Sequence, residues 1–402
     1  MNVLFLCLSK VWDLEERGIY SDLLRTFTEH GDQVYVVTPV ERRFGEKTQM
    51  IDQGSAKFLK VKTLNIQKTN VLEKGLGTVL LEGQYLRAIR KYYSDVKFDL
   101  VLYTTPPITL VKPIRYIKKR DHARTYLLLK DIFPQNAVDI GMMRTTGVKG
   151  ILYRFFRRKE KKLYQLSDRI GCMSQANADY VLAHNPEIAS ERVEVCPNSI
   201  IYEDMSVTAE QRLAVREKYG LPQDKKIFIY GGNLGRPQGI PFIMECLKAE
   251  KDNENVFFVI VGDGTEFHKL ETYFTAEQPK NAVLFKRLPK EDYDTMVGAC
   301  DVGLIFLDHR FTIPNFPSRL LGYMQAKLPV LACTDTSTDI GKVVTEGGFG
   351  WWCESSDVQA FCHTVETALT DMQSHDYRKC IQDYMLAHYT TERAYSIIMK
   401  AE

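Results

Sequence analysis

The chain has 402 residues, 45% hydrophobic and 26% charged, which fits a soluble globular protein with room for two domains. Disordered, collagen-like and disulfide-scaffold proteins are excluded, and no apolar run reaches the ~18 residues that a membrane span needs. The net charge of +2 conceals a split, because residues 1–170 hold 31 Lys and Arg against 18 Asp and Glu. The basic half is expected to face something anionic.

Met1–Leu6 reads as a buried first strand, too short in its apolar run to be a secretory signal. A polar loop follows, and a helical pattern covers Ile19 to His30. Gly31 ends that helix and Gln33–Val37 reads as the second strand. Phe98–Tyr103 and Thr125–Leu129 continue the sheet around a helix near 107–120, and Arg169–Met173 and Val193–Val195 add further strands. Near residue 200 the pattern restarts. Lys226–Tyr230, Asn255–Val261, Val283–Phe285, Val302–Phe306 and Pro329–Ala332 read as strands, each followed by a helical stretch. The expected fold class is α/β: two doubly wound, Rossmann-like domains facing a cleft, at 1–200 and 201–385. Open parallel sheets bind ligands at the carboxyl ends of their strands, so those ends are where chemistry is sought.

Gly231-Gly232-Asn233-Leu234-Gly235 with Gln238-Gly239 sits between a strand and a helix. Glycines let backbone approach a ligand, and a helix start offers free N–H groups to phosphate. The same residues also read as an ordinary tight turn. Pro317, Ser318 and Arg319 open a second helix, where amides and a guanidinium meet a diphosphate, or where a cap simply starts a core helix. Asp131 follows the strand at 125–129, placed to orient or deprotonate a hydroxyl, or to cap a turn. Glu16, Arg17 and Gly18 form a similar polar loop after the first strand, or are simply solvated.

From Gly150 to Asp168 the helical period puts Leu152, Phe155, Phe156, Leu163 and Leu166 on one face. Arg154, Arg157, Arg158, Lys161 and Lys162 fall on the other, with Lys159 intruding on the apolar side. Lys112, Arg115, Lys118, Lys119 and Arg120 make a second basic cluster. No nucleic-acid module accompanies them, so clusters at 112–120 and 154–162 point to an anionic membrane surface, or to packed helices with solvated outer faces. The nine cysteines form no CxxC pair or metal-spaced cluster, so reduced thiols and no metal are expected. GxSxG, HExxH, Walker A and kinase motifs are absent from the sequence.

Taken in order, these motifs resemble a known family. Glu29–Thr38, Asp131-Ile132-Phe133-Pro134, Leu163–Asn177, Pro197-Asn198-Ser199, Gly232–Gly235 with Gln238-Gly239, Val261–Gly264, Ala299–Val302 and Pro317–Arg319 are similar to the GT-B-fold retaining glycosyltransferases of the family 4 type. The similarity is greatest to their bacterial capsule and O-antigen branch. The resemblance implies transfer of a sugar from a nucleotide-sugar, UDP-linked by preference, to a hydroxyl with retained anomeric configuration. The donor would lie on the C-terminal domain, its base near Arg287. Its diphosphate would meet Gly232, Asn233, Gly235, Gln238 and Gly262, with Pro317, Ser318 and Arg319 opposite. No cofactor or metal is implied, since helix dipole and basic side chains stabilise the leaving diphosphate. The acceptor, a polyprenyl-diphosphate-linked saccharide, would lie on the N-terminal domain with Asp131 and Glu16–Gly18. A C-terminal helix within 386–402 would cross back to that domain. The expected location is the cytoplasmic, inner face of the bacterial plasma membrane.

Two departures accompany the resemblance. The family's paired glutamates fall here on Pro314 and Gly322, and its diphosphate-binding Arg and Lys fall on Asn233 and Gln238. Arg319 would then carry more of the charge neutralisation. The alternatives are a catalytically weak GT-B paralogue serving as a scaffold subunit, favoured by Gly322, and a sugar-nucleotide 2-epimerase.

Overall fold

The computed structural model describes residues 1–66 and 71–400. Two compact units emerge: Met1–Ile201 with Thr390–Glu402, and Tyr202–Tyr389.

The first unit holds eight strands: β1 (Asn2–Leu6), β2 (Gln33–Glu41), β3 (Gln49–Asp52), β4 (Ala56–Thr63), β5 (Leu100–Thr104), β6 (Arg124–Leu129), β7 (Arg169–Cys172) and β8 (Val193–Val195). Their order is β3-β4-β2-β1-β5-β6-β7-β8, parallel throughout except for β3 against β4. Central strands such as Val3–Leu6 and Leu100–Tyr103 are fully buried, as continuous apolar runs in a covered parallel sheet must be. Helix Ile19–Glu29 buries Leu23, Leu24 and Phe27 in the core beside Val3 and Phe5. Gly31, at φ 83°, turns the chain out of it.

The β3–β4 hairpin and helix Val71–Tyr92 are additions to the sequence expectation. The hairpin turns at Gly54, φ 77°, where Gln53 N donates to Ala56 O at 2.8 Å.

The second unit holds β9 (Lys226–Asn233), β10 (Val256–Asp263), β11 (Ala282–Phe285), β12 (Val302–Phe306), β13 (Val330–Thr334) and β14 (Gly350–Glu354). The order is β11-β10-β9-β12-β13-β14, all parallel. β14 is a further addition, its apolar run Trp351–Cys353 only three residues long between Gly350 and Glu354.

The chain leaves the second unit at Tyr389. A boundary at 386 would cut helix Arg378–His388, whose Ile381 and Met385 are buried, so the helix stays whole. The last helix, Thr391–Met399, belongs to the first unit. There Ala394 and Ile398 join the core, Thr26 Oγ1 bonds Thr391 Oγ1 at 2.7 Å, and Tyr395 stacks on His30 at 4.0 Å. Residues 401 and 402 of the expected C-terminal segment lie outside the described residues.

Helix Gly147–Leu166 differs from its sequence reading. Phe156 and Leu163 are buried, but Leu152 is 51% and Phe155 37% exposed, beside Ile151 at 59%. The inward seam takes in polar groups instead: Glu160 accepts from Arg157 Nη1 at 2.6 Å and from Tyr164 Oη at 2.8 Å. A face computed from apolar residues alone misses that seam. The basic clusters also thin out. Lys118 is tied to Asp168, Arg120 to Asp121 and backbone carbonyls, and Lys159 to Glu82. Arg115, Lys119, Arg154, Arg158 and Lys162 point to solvent or its edge on this unit. Among the described residues, no helix is long and apolar enough to cross a membrane.

Candidate active site

In the second unit the strand order reverses between β9 and β12: β10 and β11 lie to one side, β13 and β14 to the other. Loops leaving two strands at such a reversal diverge and open a crevice at their carboxyl ends. The turn Gly231–Gly239 leaves β9 there, and residues 307–318 leave β12.

The turn is locked by close approach. A methyl on Gly231 would overlap the Tyr293 hydroxyl, and one on Gly262 would overlap the carbonyl oxygen of Gly232. Gly232 sits at φ 134°, open to few side chains. Asn233 and Gln238 engage each other: Asn233 Nδ2 donates to Gln238 Oε1 at 2.9 Å, and Gly235 N donates to the same oxygen at 3.2 Å. Tyr230 Oη donates to Asn233 O at 2.7 Å. The pair is thus a neutral clasp that fixes the turn, in place of two cations.

Arg319 opens helix Arg319–Gln325 and reaches under this turn. Its Nη1 donates to Gly231 O at 3.0 Å, and the guanidinium lies 4.1 Å from the Tyr230 ring centroid. A methyl on Gly232 would stand 3.3 Å from Nη2, so the charge lies directly behind the glycine. Burial pushes the Tyr323 hydroxyl up to about 12 and raises those of Tyr230 and Tyr293. All three stay protonated at neutral pH, and the one Tyr323 hydroxyl proton is shared between Ile229 O (3.1 Å) and Leu304 O (3.0 Å). Ser318 makes no side-chain capping bond and is exposed, with Pro317 half-buried beside it. The capping alternative for Ser318 therefore falls away.

Gly232, Asn233, Gly235, Gln238, Gly262 and Arg319 form one connected constellation. Arg287 is exposed in the loop after β11, two strands from β9.

In the first unit the order reverses between β1 and β5. Asp131 follows β6, next to β5, and its backbone N donates to Thr105 Oγ1 at 3.3 Å. Burial pushes the Asp131 carboxyl up to about 6 and the adjoining Lys130 down to about 8. Tyr20 lies close enough to feel the Asp131 charge. A carboxylate with that proton affinity suits proton transfer near neutral pH. Gly18 stands at the start of helix Ile19–Glu29, its N donating to Asp22 Oδ1 at 3.2 Å; Glu16 is exposed and Arg17 half-buried.

Residues 211–383 match the family described as Glycosyl transferases group 1. This chain carries a group 1 glycosyl transferase domain. It is 25% identical to the probable glycosyltransferase WbjE of Pseudomonas aeruginosa, over 79% of this chain and 76% of that one. It is 24% identical to the putative colanic acid biosynthesis glycosyl transferase WcaI of Escherichia coli K12, over 68% and 67% of the two chains. Its fold is similar to that of Anabaena Alr3699/HepE, crystallised with UDP, at a TM-score of 0.69 and 15% identity across 100% and 99% of the chains. The glycosyltransferase has the GT-B class of fold, with two parallel-sheet domains.

Several groups of this glycosyltransferase escaped the sequence reading. Tyr230, Tyr293 and Tyr323 carry no motif of their own, and their contacts with Arg319, Gly231 and Gly303 expose their role. Asp308 and Arg310 follow β12 at the reversal point. Arg310 Nη2 donates to Asp308 Oδ2 at 2.7 Å, and Asp308 N donates to Pro237 O at 2.9 Å, tying this loop to the glycine turn. Burial works against the Asp308 charge, but Arg310 outweighs it and holds the carboxyl below the usual range. A carboxylate just past a strand end was the available signal. Gly322 is exposed, and a methyl there would meet nothing within 4 Å.

Proposed function

We propose that this glycosyltransferase moves a hexosyl or N-acetylhexosaminyl group, with retention, from a UDP-sugar to a hydroxyl of a lipid-linked saccharide during assembly of a bacterial surface polysaccharide. The carrying observation is the Gly231–Gln238 turn with Arg319 behind it at the strand-order reversal. On this proposal the backbone of the turn meets the diphosphate oxygens, and the guanidinium offsets the charge that grows on the leaving group. No metal is needed on this reading. Arg287 flanks the base, and Ser318 adds a hydroxyl donor.

On the first unit Asp131 orients the acceptor hydroxyl and takes its proton, with Glu16, Arg17 and Gly18 beside it. WcaI, named for colanic acid biosynthesis, supports a polysaccharide role, WbjE supports glycosyl transfer, and the HepE complex supports UDP. Exposed Ile151, Leu152 and Phe155, interleaved with Arg154 and Arg158, support peripheral attachment to the anionic cytoplasmic leaflet. Anionic vesicles should co-sediment the protein, and Leu152→Glu with Phe155→Glu should abolish that.

Calorimetry with UDP, GDP and ADP, each with EDTA and again with magnesium, tests the donor site. Micromolar binding of UDP without metal, weakened about 30-fold in Arg319→Ala, is expected; no nucleotide binding would overturn the assignment. The open Gly322 favours one other reading, a scaffold paralogue that binds nucleotide without turnover, and release of UDP from UDP-sugars separates the two.

A further inference from the structure

The first unit carries a second cluster of chemistry outside Asp131 and Glu16–Gly18. Trp12, in the loop after β1, meets Phe44, in the short turn Arg42–Phe44 after β2, edge to face with ring centroids 6.3 Å apart. Lys60 of β4 places its ammonium 4.3 Å from the Trp12 centroid, and Lys10 lies 3.8 Å from that of Phe44 and 5.5 Å from that of Trp12. Arg43 stands 5.2 Å from the Phe44 ring.

The topology brings these segments together. β4, β2 and β1 are neighbours in register, Leu59 beside Val37 beside Leu6. Lys60, paired with Thr38, therefore lies one step beyond the end of β1. The loop is held firmly: Thr38 Oγ1 donates to Ser9 O at 2.6 Å, Val11 and Leu14 are core residues, and Arg25 donates to Leu14 O. Trp12 is thus fixed between two buried anchors rather than hanging on a free loop.

Charge makes the arrangement informative. Arg43 is paired with Glu41, but Lys10 and Lys60 have no carboxylate partner among the described contacts. Two ammonium groups drawn to one indole repel each other, and an anion between them relieves that repulsion. The electron-rich ring faces also attract the partly positive C–H faces of a pyranose. Aromatic plates beside unpaired cations thus match a sugar carrying negative charge better than a neutral sugar or a bare ion.

We propose that Trp12, Phe44, Lys10 and Lys60 form an acceptor subsite for a sugar ring bearing an anionic group, either the carboxylate of a uronic acid or a sugar phosphate. The inference rests on reading the first unit as the acceptor domain, and it adds the charge and the ring that this domain selects.

The test uses the full chain labelled with ¹⁵N-tryptophan. The protein has three tryptophans, with distinct indole N–H environments. Trp351 donates to Asp371 Oδ2 at 2.8 Å and Trp352 to Thr334 Oγ1 at 2.9 Å, whereas Trp12 Nε1 is enclosed without a partner. Trp12→Phe assigns its signal, and the other two report that the fold is intact. Glucuronate, glucose 1-phosphate, glucose and inorganic phosphate are titrated at low ionic strength, where surface charge is least screened. Either charged sugar is expected to shift the Trp12 signal alone, and which one does so identifies the anion. Lys10→Gln with Lys60→Gln should weaken that response at least about tenfold, the loss of about one charged contact, without moving the Trp351 and Trp352 signals. A response to glucose equal to that of the charged sugars, or to inorganic phosphate alone, would overturn the proposal, as would silence to both charged sugars. UDP calorimetry on the same sample separates the readings. UDP binding with a silent Trp12 overturns only the subsite, and a responding Trp12 without nucleotide binding overturns only the donor assignment.

Discussion

The two strand-order reversals are built in opposite ways. In the second unit the crevice is made of backbone: Gly231 and Gly262 sit where any methyl would collide, and Asn233 and Gln238 satisfy each other. In the first unit the corresponding ends carry side chains: Asp131 and Tyr20 near Thr105, with the Trp12 and Phe44 rings farther along the strand ends. Backbone recognition suits a ligand part that never changes, such as a diphosphate. Side-chain recognition suits a part that differs between polysaccharides, because loop side chains change more readily than the elements that carry them.

The largest effect should come from the side-chain end. Asp131→Asn is expected to lower kcat by about 10²–10⁴-fold while UDP affinity, measured by calorimetry, stays the same. The wild-type rate should fall as pH drops through about 6, the proton affinity set by burial of this carboxyl. Stability moves the other way. A carboxyl pushed above its unfolded value stabilises the fold in its protonated form, and that contribution is lost as pH rises through about 6. Asp131→Asn should therefore raise the urea midpoint at pH 8 and leave it nearly unchanged at pH 4.

Next comes the backbone end. Gly231→Ala forces a methyl into the Tyr293 hydroxyl, so it should cost about 3 kcal/mol in urea unfolding and abolish nucleotide binding. Arg319→Ala removes a charged contact to Gly231 O and should weaken UDP by about 30-fold, or ~2 kcal/mol. Gly322→Glu should be the mildest, changing stability by less than about 0.5 kcal/mol, since the position is exposed and a Cβ there meets nothing within 4 Å. A few-fold tighter UDP complex would show that the missing carboxylate reaches the ribose. An unchanged affinity would place the ribose elsewhere and sharpen the contrast between the units.

The central strands were legible because burial on both faces writes itself as runs such as Val302–Phe306 and Val330–Ala332. The β3–β4 hairpin was not, because Lys57, Lys60 and Lys62 interrupt the apolar signal of β4. The glycine turn and Arg319 were legible as a pattern, yet their meaning changed in three dimensions. Arg319 supports the turn from behind as well as supplying charge, a fact written in the Tyr230 and Gly231 contacts rather than in spacing. The amphipathic helix misled most. Its partners decide which face turns in, and Glu160 with Arg157 turned inward where Leu152 and Phe155 did not.

Because helix Thr391–Met399 completes the first unit, the order of synthesis and the order of folding diverge. The first 201 residues leave the ribosome without the helix that covers Phe27 and meets His30. All of Tyr202–Tyr389 is made in between, a delay of roughly 10–40 s at ordinary elongation rates. The later domain can therefore finish first, while the earlier one waits with part of its core uncovered. A nascent chain stalled just before Thr390 should present that uncovered patch to a chaperone, and one released after Met399 should not.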